Sequence, residues 1–196
     1  MDHRVRNNLA ALISLLRLGA EEAEEKAGGI LREMADRVAR LADVHNLSTS
    51  RGMQSIEVRE LAEMIAKNVF AAVSGGGEIR WRVTGTPFRV PASRGATLAL
   101  ILNELLTNCV KHAFVGRAMG TVAVRVGYDG HEAEVEVQDD GVGLDLTRRP
   151  SSLGLTIVET LVTHNLQGSL QFMNQGGTRV SIRFPHQQEV VTGGAA

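Results

Sequence analysis

Glu104, Asn108 and Lys111 stand four and three residues apart, with His112 beside them. Around them Leu98, Leu102, Leu105, Leu106 and Val110 recur at helical spacing, so the polar groups share one face of a helix. A carboxylate, a carboxamide, an ammonium and an imidazole within two turns could serve a polyphosphate and its metal. The amide oxygen suits Mg²⁺, the ammonium suits phosphate, and the carboxylate suits a proton or a water. A solvated helix face is the bland alternative, and this helix alone leaves the two evenly matched. Three further stretches bear on the choice. Asp139-Asp140-Gly141-Val142-Gly143 follows an alternating strand, Ser151-Ser152-Leu153-Gly154-Leu155 opens a helix, and Gly176-Gly177-Thr178 leads into a last strand.

The elements that must position these residues are legible in outline. Residues 2–18 lack Gly and Pro, and the spacing predicts a helix ending at Gly19, with Val5, Leu9, Leu12 and Leu16 as its buried seam. On that helix His3, Asn7, Ala10 and Ser14 fall opposite the seam, so His3 is expected to be exposed. The acidic run 21–25 and Gly28-Gly29 predict a reversal, followed by a second amphipathic helix over about residues 30–47. Two short helices bury too little to stand alone, and a dimeric four-helix bundle removes that difficulty. Ser48–Gly52 reads as a linker. Beyond it, a short strand over 55–58 precedes a helix over 59–73, and Ile79–Val83 alternates as a strand carrying Trp81, the only tryptophan, as a core or edge residue. Residues 121–126 and 132–138 predict one hairpin, and residues 169–173 and 179–184 a second. Residues 187–196 read as a frayed tail.

With 196 residues, 43% hydrophobic and 22% charged, the composition is that of an ordinary globular protein of one large or two small domains. A net charge of −1 gives no electrostatic case for nucleic acid or a membrane surface. The aliphatic runs are too short to span a bilayer, and no signal-peptide pattern opens the chain. The single cysteine, Cys109, lies among apolar neighbours and reads as packed; it fits a reducing cytoplasm. None of the six histidines has metal-ligand spacing with Cys or another His. The glycine-rich stretches are neither a Walker loop nor a dinucleotide fingerprint.

Taken in order, the Asn108 helix, Asp139-x-Gly141-x-Gly143, Gly154-Leu155 and Gly177-Thr178 resemble the N, G1 and G2 boxes and terminal Gly-Thr of the GHKL ATPases. Asp2-His3-Arg4-Val5-Arg6-Asn7-Asn8-Leu9 resembles the H-box of one histidine-kinase subfamily. The resemblance implies an α+β chain: a helical hairpin over 1–50 that dimerises into a four-helix bundle, then an α/β-sandwich (Bergerat) ATP-binding domain over 53–186. It implies that His3 is the phosphoacceptor and that Asn7 positions water in a phosphatase reaction. Asn108 would hold Mg²⁺, and Glu104 would polarise the attacking group or a metal-bound water. Lys111 and His112 would lie near phosphate, as would the backbone amides of Gly154 and Leu155 at a helix start. Asp139 would accept from the adenine amino group, with Thr178 in support, while Gly141 and Gly143 let the backbone approach the nucleotide. Arg4 replaces the acidic residue that follows the histidine in many of these kinases, which leaves Asp2 to orient or deprotonate the ring. Leu144–Ser152 is a short lid.

The function so implied is ATP- and Mg²⁺-dependent autophosphorylation of His3, then transfer to a response-regulator Asp, in a cytoplasmic homodimer whose upstream sensor region lies outside this chain. Its rivals are a phosphotransfer relay with a degenerate ATPase domain, a Ser/Thr kinase of the anti-sigma-factor type, and a non-enzymatic dimerisation module.

Overall fold

A computed structural model describes residues 14–21, 23–25, 27–29, 31–32, 34–35, 39, 55–71, 78–144 and 153–186. The chain forms two compact units, Met1–Gln54 and Ser55–Ala196. His3, Asn7, the expected lid over 145–152, His45 and the tail over 187–196 lie outside the described residues.

In the first unit the helical hairpin departs from expectation at both glycine sites. The first helix does not stop at Gly19 but continues through Glu21, and Glu25 and Ala27–Gly29 are already helical. The reversal lies at Ala23-Glu24, within the expected acidic run, and does not extend to Gly28-Gly29. Gly28 marks close contact instead of a chain break. A Cβ on Gly28 would lie 2.7 Å from the Ala20 carbonyl oxygen, whereas one on Gly19 would meet Leu31 Cδ1 at an ordinary 3.5 Å. Ala20 and Ala35 are buried and Leu16, Leu31 and Met34 half-buried, while Leu15 and Leu18 stay exposed.

The second unit is a five-stranded sheet with helices on its apolar face. In chain order it runs β1 (Ser55–Glu57), α1 (Val58–Ala71), β2 (Glu78–Gly85), β3 (Arg89–Pro91), α2 (Ala92–Asn108), β4 (Met119–Tyr128), β5 (Glu132–Asp139), α3 (Leu153–Thr160), β6 (Ser169–Asn174) and β7 (Thr178–Pro185). The sheet order is β2-β4-β5-β7-β6, with β2 and β4 parallel and the remaining neighbours antiparallel. Parallel β2 and β4 need a crossover, and α2 lies within it. Both expected hairpins are present, β4–β5 and β6–β7. The three-residue β3, which pairs with β1 through Ile56 and Val90, was not legible in the sequence.

Alternation explains the layering. Val122, Val124 and Val126 of β4, Ala133, Val135 and Val137 of β5, and Val180, Ile182 and Phe184 of β7 are all buried. Against them lie Leu98, Ile101, Leu102, Leu105 and Leu106 of α2 and Leu61, Ala62 and Ile65 of α1. Each fully buried Leu or Ile contributes about 1.5–3 kcal/mol, so α2 is held by packing along its length. The opposite face of the sheet is polar, with Glu134 accepting from Arg183 Nε and Ser181 Oγ, both at 2.9 Å. Trp81 sits on the edge strand β2, 37% exposed and stacked on Phe70 with ring centroids 6.2 Å apart.

Candidate nucleotide site

The polar face that the sequence placed on α2 is not a uniformly solvated one. Glu104 is buried, Asn108 is half-buried, and only Lys111 and His112 are exposed. At Cys109 the helix widens into a π-helical turn, Cys109–Ala113. Such bulges shift side chains around the helix axis and are frequent at functional sites. Here the widened turn carries Cys109, His112 and Ala113 onto the wall of a cavity of about 280 Å³, near the lower end of small-ligand pockets, roughly 300–1,000 Å³.

Of the residues expected to form a nucleotide site, Asn108, His112, Asp139, Gly143, Leu155 and Thr178 line this one cavity. The others stand elsewhere. Glu104 is buried one helical turn before Asn108, Lys111 is exposed, and Gly154 is buried beside Leu155, none of them lining the cavity. The apolar walls come from Leu105 on α2, Cys109 and Ala113 on the π-helical turn that continues it, Val137 on β5 and Val180 on β7. Sequence reasoning did not assign these to the site. Their signal was present as period: Leu105, Cys109 and Ala113 are four apart on the helix, and Val137 and Val180 stand two residues from Asp139 and Thr178 on the same strand faces.

Asp139 is the polar end of the buried stripe Ala133, Val135, Val137 of β5, and is itself only 5% exposed. Burial of a carboxylate is unfavourable unless hydrogen bonds replace water. Its Oδ1 accepts from the backbone N–H of Gly141 at 2.9 Å and of Thr178 at 3.0 Å. Its Oδ2 accepts from the Cys109 thiol at 3.7 Å, a weak contact. Burial first, and then the neighbouring Asp139 charge, push the Cys109 thiol well above its ordinary range, so it stays an S–H donor. One oxygen of Asp139 is thus fixed by the backbone, and the other has only a soft partner beside the cavity.

Gly141 has a protein neighbour where a Cβ would stand. A Cβ there would lie 2.2 Å from the Ala113 carbonyl oxygen, the same oxygen that accepts from Val142 N–H at 2.9 Å. The loop after β5 is therefore locked onto the end of the π-helical turn. Asp140 closes the other side: its Oδ1 accepts from Thr121 N–H at 2.8 Å, and Arg117 donates to the Asp140 carbonyl.

Asn108 Nδ2 is a buried donor with no hydrogen-bond partner among the described residues. Orphaned donors of this kind are uncommon and call for an acceptor. On a cavity wall, an unmatched carboxamide and a half-committed carboxylate can together bind a ligand that offers an amino donor at one end and anionic oxygens at the other.

Comparison with known proteins agrees with this geometry. Residues 1–73 match the family described as histidine kinase. Residues 94–188 match the family described as histidine kinase-, DNA gyrase B-, and HSP90-like ATPase. The chain belongs to the histidine kinases. Among relatives of this kinase chain, sensor histidine kinase PdtaS of Mycolicibacterium smegmatis is 33% identical over 190 residues, covering 93% of the chain and 38% of PdtaS. The chain thus spans less than half of that relative's length. The solved histidine kinase domain of the Erythrobacter litoralis EL346 blue-light activated histidine kinase is 28% identical, with a TM-score of 0.68 over 94% of the chain and 88% of that domain. Mycobacterial sensor histidine kinase MprB, at 22% identity and a TM-score of 0.55 over 68% of the chain, shares the fold of the ATPase unit. A helical region followed by a GHKL-type α/β ATPase unit is therefore the architecture of this chain.

Proposed function

We propose that the chain is the catalytic core of a sensor histidine kinase of the His-Arg-Val-x-Asn-Asn H-box type. ATP binds in the cavity of residues 53–186, the γ-phosphoryl group moves to His3, and an Asp of a response-regulator receiver domain takes it from there. A homodimer formed through residues 1–50 brings His3 and the ATPase unit together in the cytoplasm, and a sensor region outside this chain sets the activity.

The observation that carries this reading is the cavity wall that joins Asp139, held through one oxygen, to Asn108, whose amide donor lacks a partner among the described residues. Asp139 Oδ2 suits the adenine amino group, and Thr178 stands beside it. Leu105, Val137 and Val180 suit the faces of the base. Asn108 suits the phosphate end, where its Oδ1 would hold Mg²⁺ together with phosphate oxygens and waters. A single neutral protein ligand is compatible with that ion, which keeps much of its coordination in substrate phosphates and water. Bound Mg²⁺ would neutralise charge on the phosphates. Lys111, His112 and the amides of Gly154 and Leu155 would add positive potential to that end. Glu104, one turn before Asn108, would polarise the attacking imidazole.

In the transfer itself, the neutral ring nitrogen of His3 attacks the γ-phosphorus. A P–N bond forms as the bond to the β–γ bridging oxygen breaks, ADP leaves, and the imidazole sheds its other N–H proton, with Asp2 as the nearest carboxylate in sequence. Asn7, four residues on, would position a water for hydrolysis of the phosphoryl group on the response-regulator Asp, releasing inorganic phosphate. Incubation with γ-labelled ATP and Mg²⁺ tests the reading. Label in the wild type that is absent from both His3→Ala and Asn108→Ala is expected; label retained by His3→Ala overturns it.

A further inference from the structure

Asn174 closes β6 and does not line the cavity. Its side chain nevertheless reaches a residue that does. Leu144 N–H donates to Asn174 Oδ1 at 3.1 Å, and Asn174 Nδ2 donates to the Leu144 carbonyl oxygen at 2.6 Å. The two partners fix the orientation of the carboxamide, because the backbone N–H can only donate and the carbonyl can only accept. A side-chain amide bonded twice to one residue's backbone imitates a neighbouring strand. Leu144 is thereby held as though the sheet continued past its end, across 30 residues of sequence.

The same hairpin end holds the other wall. Asn174 is the register partner of Thr178, whose N–H donates to Asp139 Oδ1. The carboxamide also packs against Gly143, where a Cβ would lie 3.2 Å from Asn174 Oδ1 and where φ is +79°. One end of the β6–β7 hairpin therefore fixes both the carboxylate Asp139 and the apolar Leu144, which line the same cavity.

We infer that Asn174 is a positioning residue for nucleotide: by clamping the Leu144 backbone it holds one wall of the cavity at a set distance from Asp139, and so sets affinity for the purine nucleotide. This rests on the nucleotide reading of the cavity. The clamp acts through preorganisation, since a wall that must be ordered on binding weakens the ligand by the entropy of ordering it.

The test uses the full chain, with ADP titrated by calorimetry and amide hydrogen exchange followed at individual residues, for wild type, Asn174→Ala and Asn174→Asp. Asn174→Ala removes both bonds. Asn174→Asp keeps the shape and the acceptor for Leu144 N–H but sets an oxygen against the Leu144 carbonyl. Both variants are expected to bind ADP about tenfold more weakly, Ala by losing both neutral hydrogen bonds that preorganise the site and Asp by losing one and opposing the Leu144 carbonyl. In both, Leu144 N–H should exchange faster, while Gly141 and Thr178 N–H, bonded to Asp139, keep their protection. A merely steric role for Asn174 would leave the isosteric Asp variant like the wild type. Unchanged ADP affinity in both variants, with or without faster exchange at Leu144, overturns the inference. A wild type that binds no ADP instead overturns the nucleotide reading, and Leu144 exchange alone then decides whether the clamp exists.

Discussion

Asp139 separates the structural from the functional demands on this cavity, because its two oxygens have different partners. Asp139→Asn keeps Oδ1 as acceptor for the Gly141 and Thr178 amides and changes only the oxygen that faces Cys109, whose sulfur accepts weakly. Stability should therefore change by less than about 1 kcal/mol. Binding should change much more, since a carboxylate acceptor for the adenine amino group becomes an opposing donor. A hydrogen bond to a charged group contributes about 1.5–3 kcal/mol, so ADP affinity should fall roughly 10- to 150-fold. Asp139→Ala removes both acceptors. It leaves two part-buried N–H groups unmatched at about 1 kcal/mol each, and at about 3 °C per kcal/mol for a chain of this size the melting midpoint should fall by roughly 6 °C. Calorimetric titration with ADP and thermal unfolding followed by circular dichroism read the two effects separately. An Asn variant that binds ADP within about twofold of wild type would refute the assignment of Oδ2 to the base. An Ala variant that melts with the wild type would refute the hydrogen-bond argument itself.

Two further predictions concern the scaffold. Gly141→Ala drives a methyl group into the Ala113 carbonyl and should cost about 1–3 kcal/mol by overpacking, seen as a lower melting midpoint, whereas Gly127→Ala, with nothing within 4 Å of its Cβ, should melt with the wild type; equal midpoints for the two variants contradict the contact. His186 is 3% exposed, packs against Tyr128 and Phe88 with ring centroids 4.9 and 5.4 Å away, and has a buried Nε2 without a partner among the described residues. Burial, and then the Arg94 charge, hold its pKa below the ordinary 6.5. The unfolded chain therefore takes up the proton first, so stability holds above pH 6.5 and falls as pH drops from there toward the folded-state pKa. Denaturant titrations at pH 7.5, 6.5 and 5.5 should show this loss, and His186→Gln should flatten it. Glu134 responds only at lower pH, because bonds from Arg183 and Ser181 outweigh its burial and keep it below the carboxylate range. A wild-type curve flat from pH 7.5 to 5.5 would contradict the His186 account.

The hairpins β4–β5 and β6–β7 were legible because strict alternation was broken by turn residues, and α2 because its leucines kept helical period. What escaped the sequence follows from ambiguous or remote signals. A glycine can end a helix or admit a neighbour, and at Gly28 the second meaning holds, while Gly19 simply lies inside a helix. Strand β3 has only three residues, and its partner β1 lies more than thirty positions earlier. The contact between Gly141 and Ala113 was also invisible, because the two lie 28 positions apart on different elements. Of the residues the sequence assigned to a nucleotide site, Asn108, His112, Asp139, Gly143, Leu155 and Thr178 share one cavity, because they stand at or beside the facing ends of α2, β5, α3 and β7. The clamp by Asn174 was invisible, because a side chain that bonds a backbone 30 residues away leaves no periodic trace.

The central claim is that phosphate from ATP comes to rest on the imidazole of His3. Mapping the phosphorylated residue by peptide mass spectrometry at neutral to alkaline pH, after incubation of the full chain with ATP and Mg²⁺, tests it most directly. The account predicts acid-labile phosphohistidine at position 3. An acid-stable phosphoserine or phosphothreonine, or phosphate confined to another histidine, would contradict it.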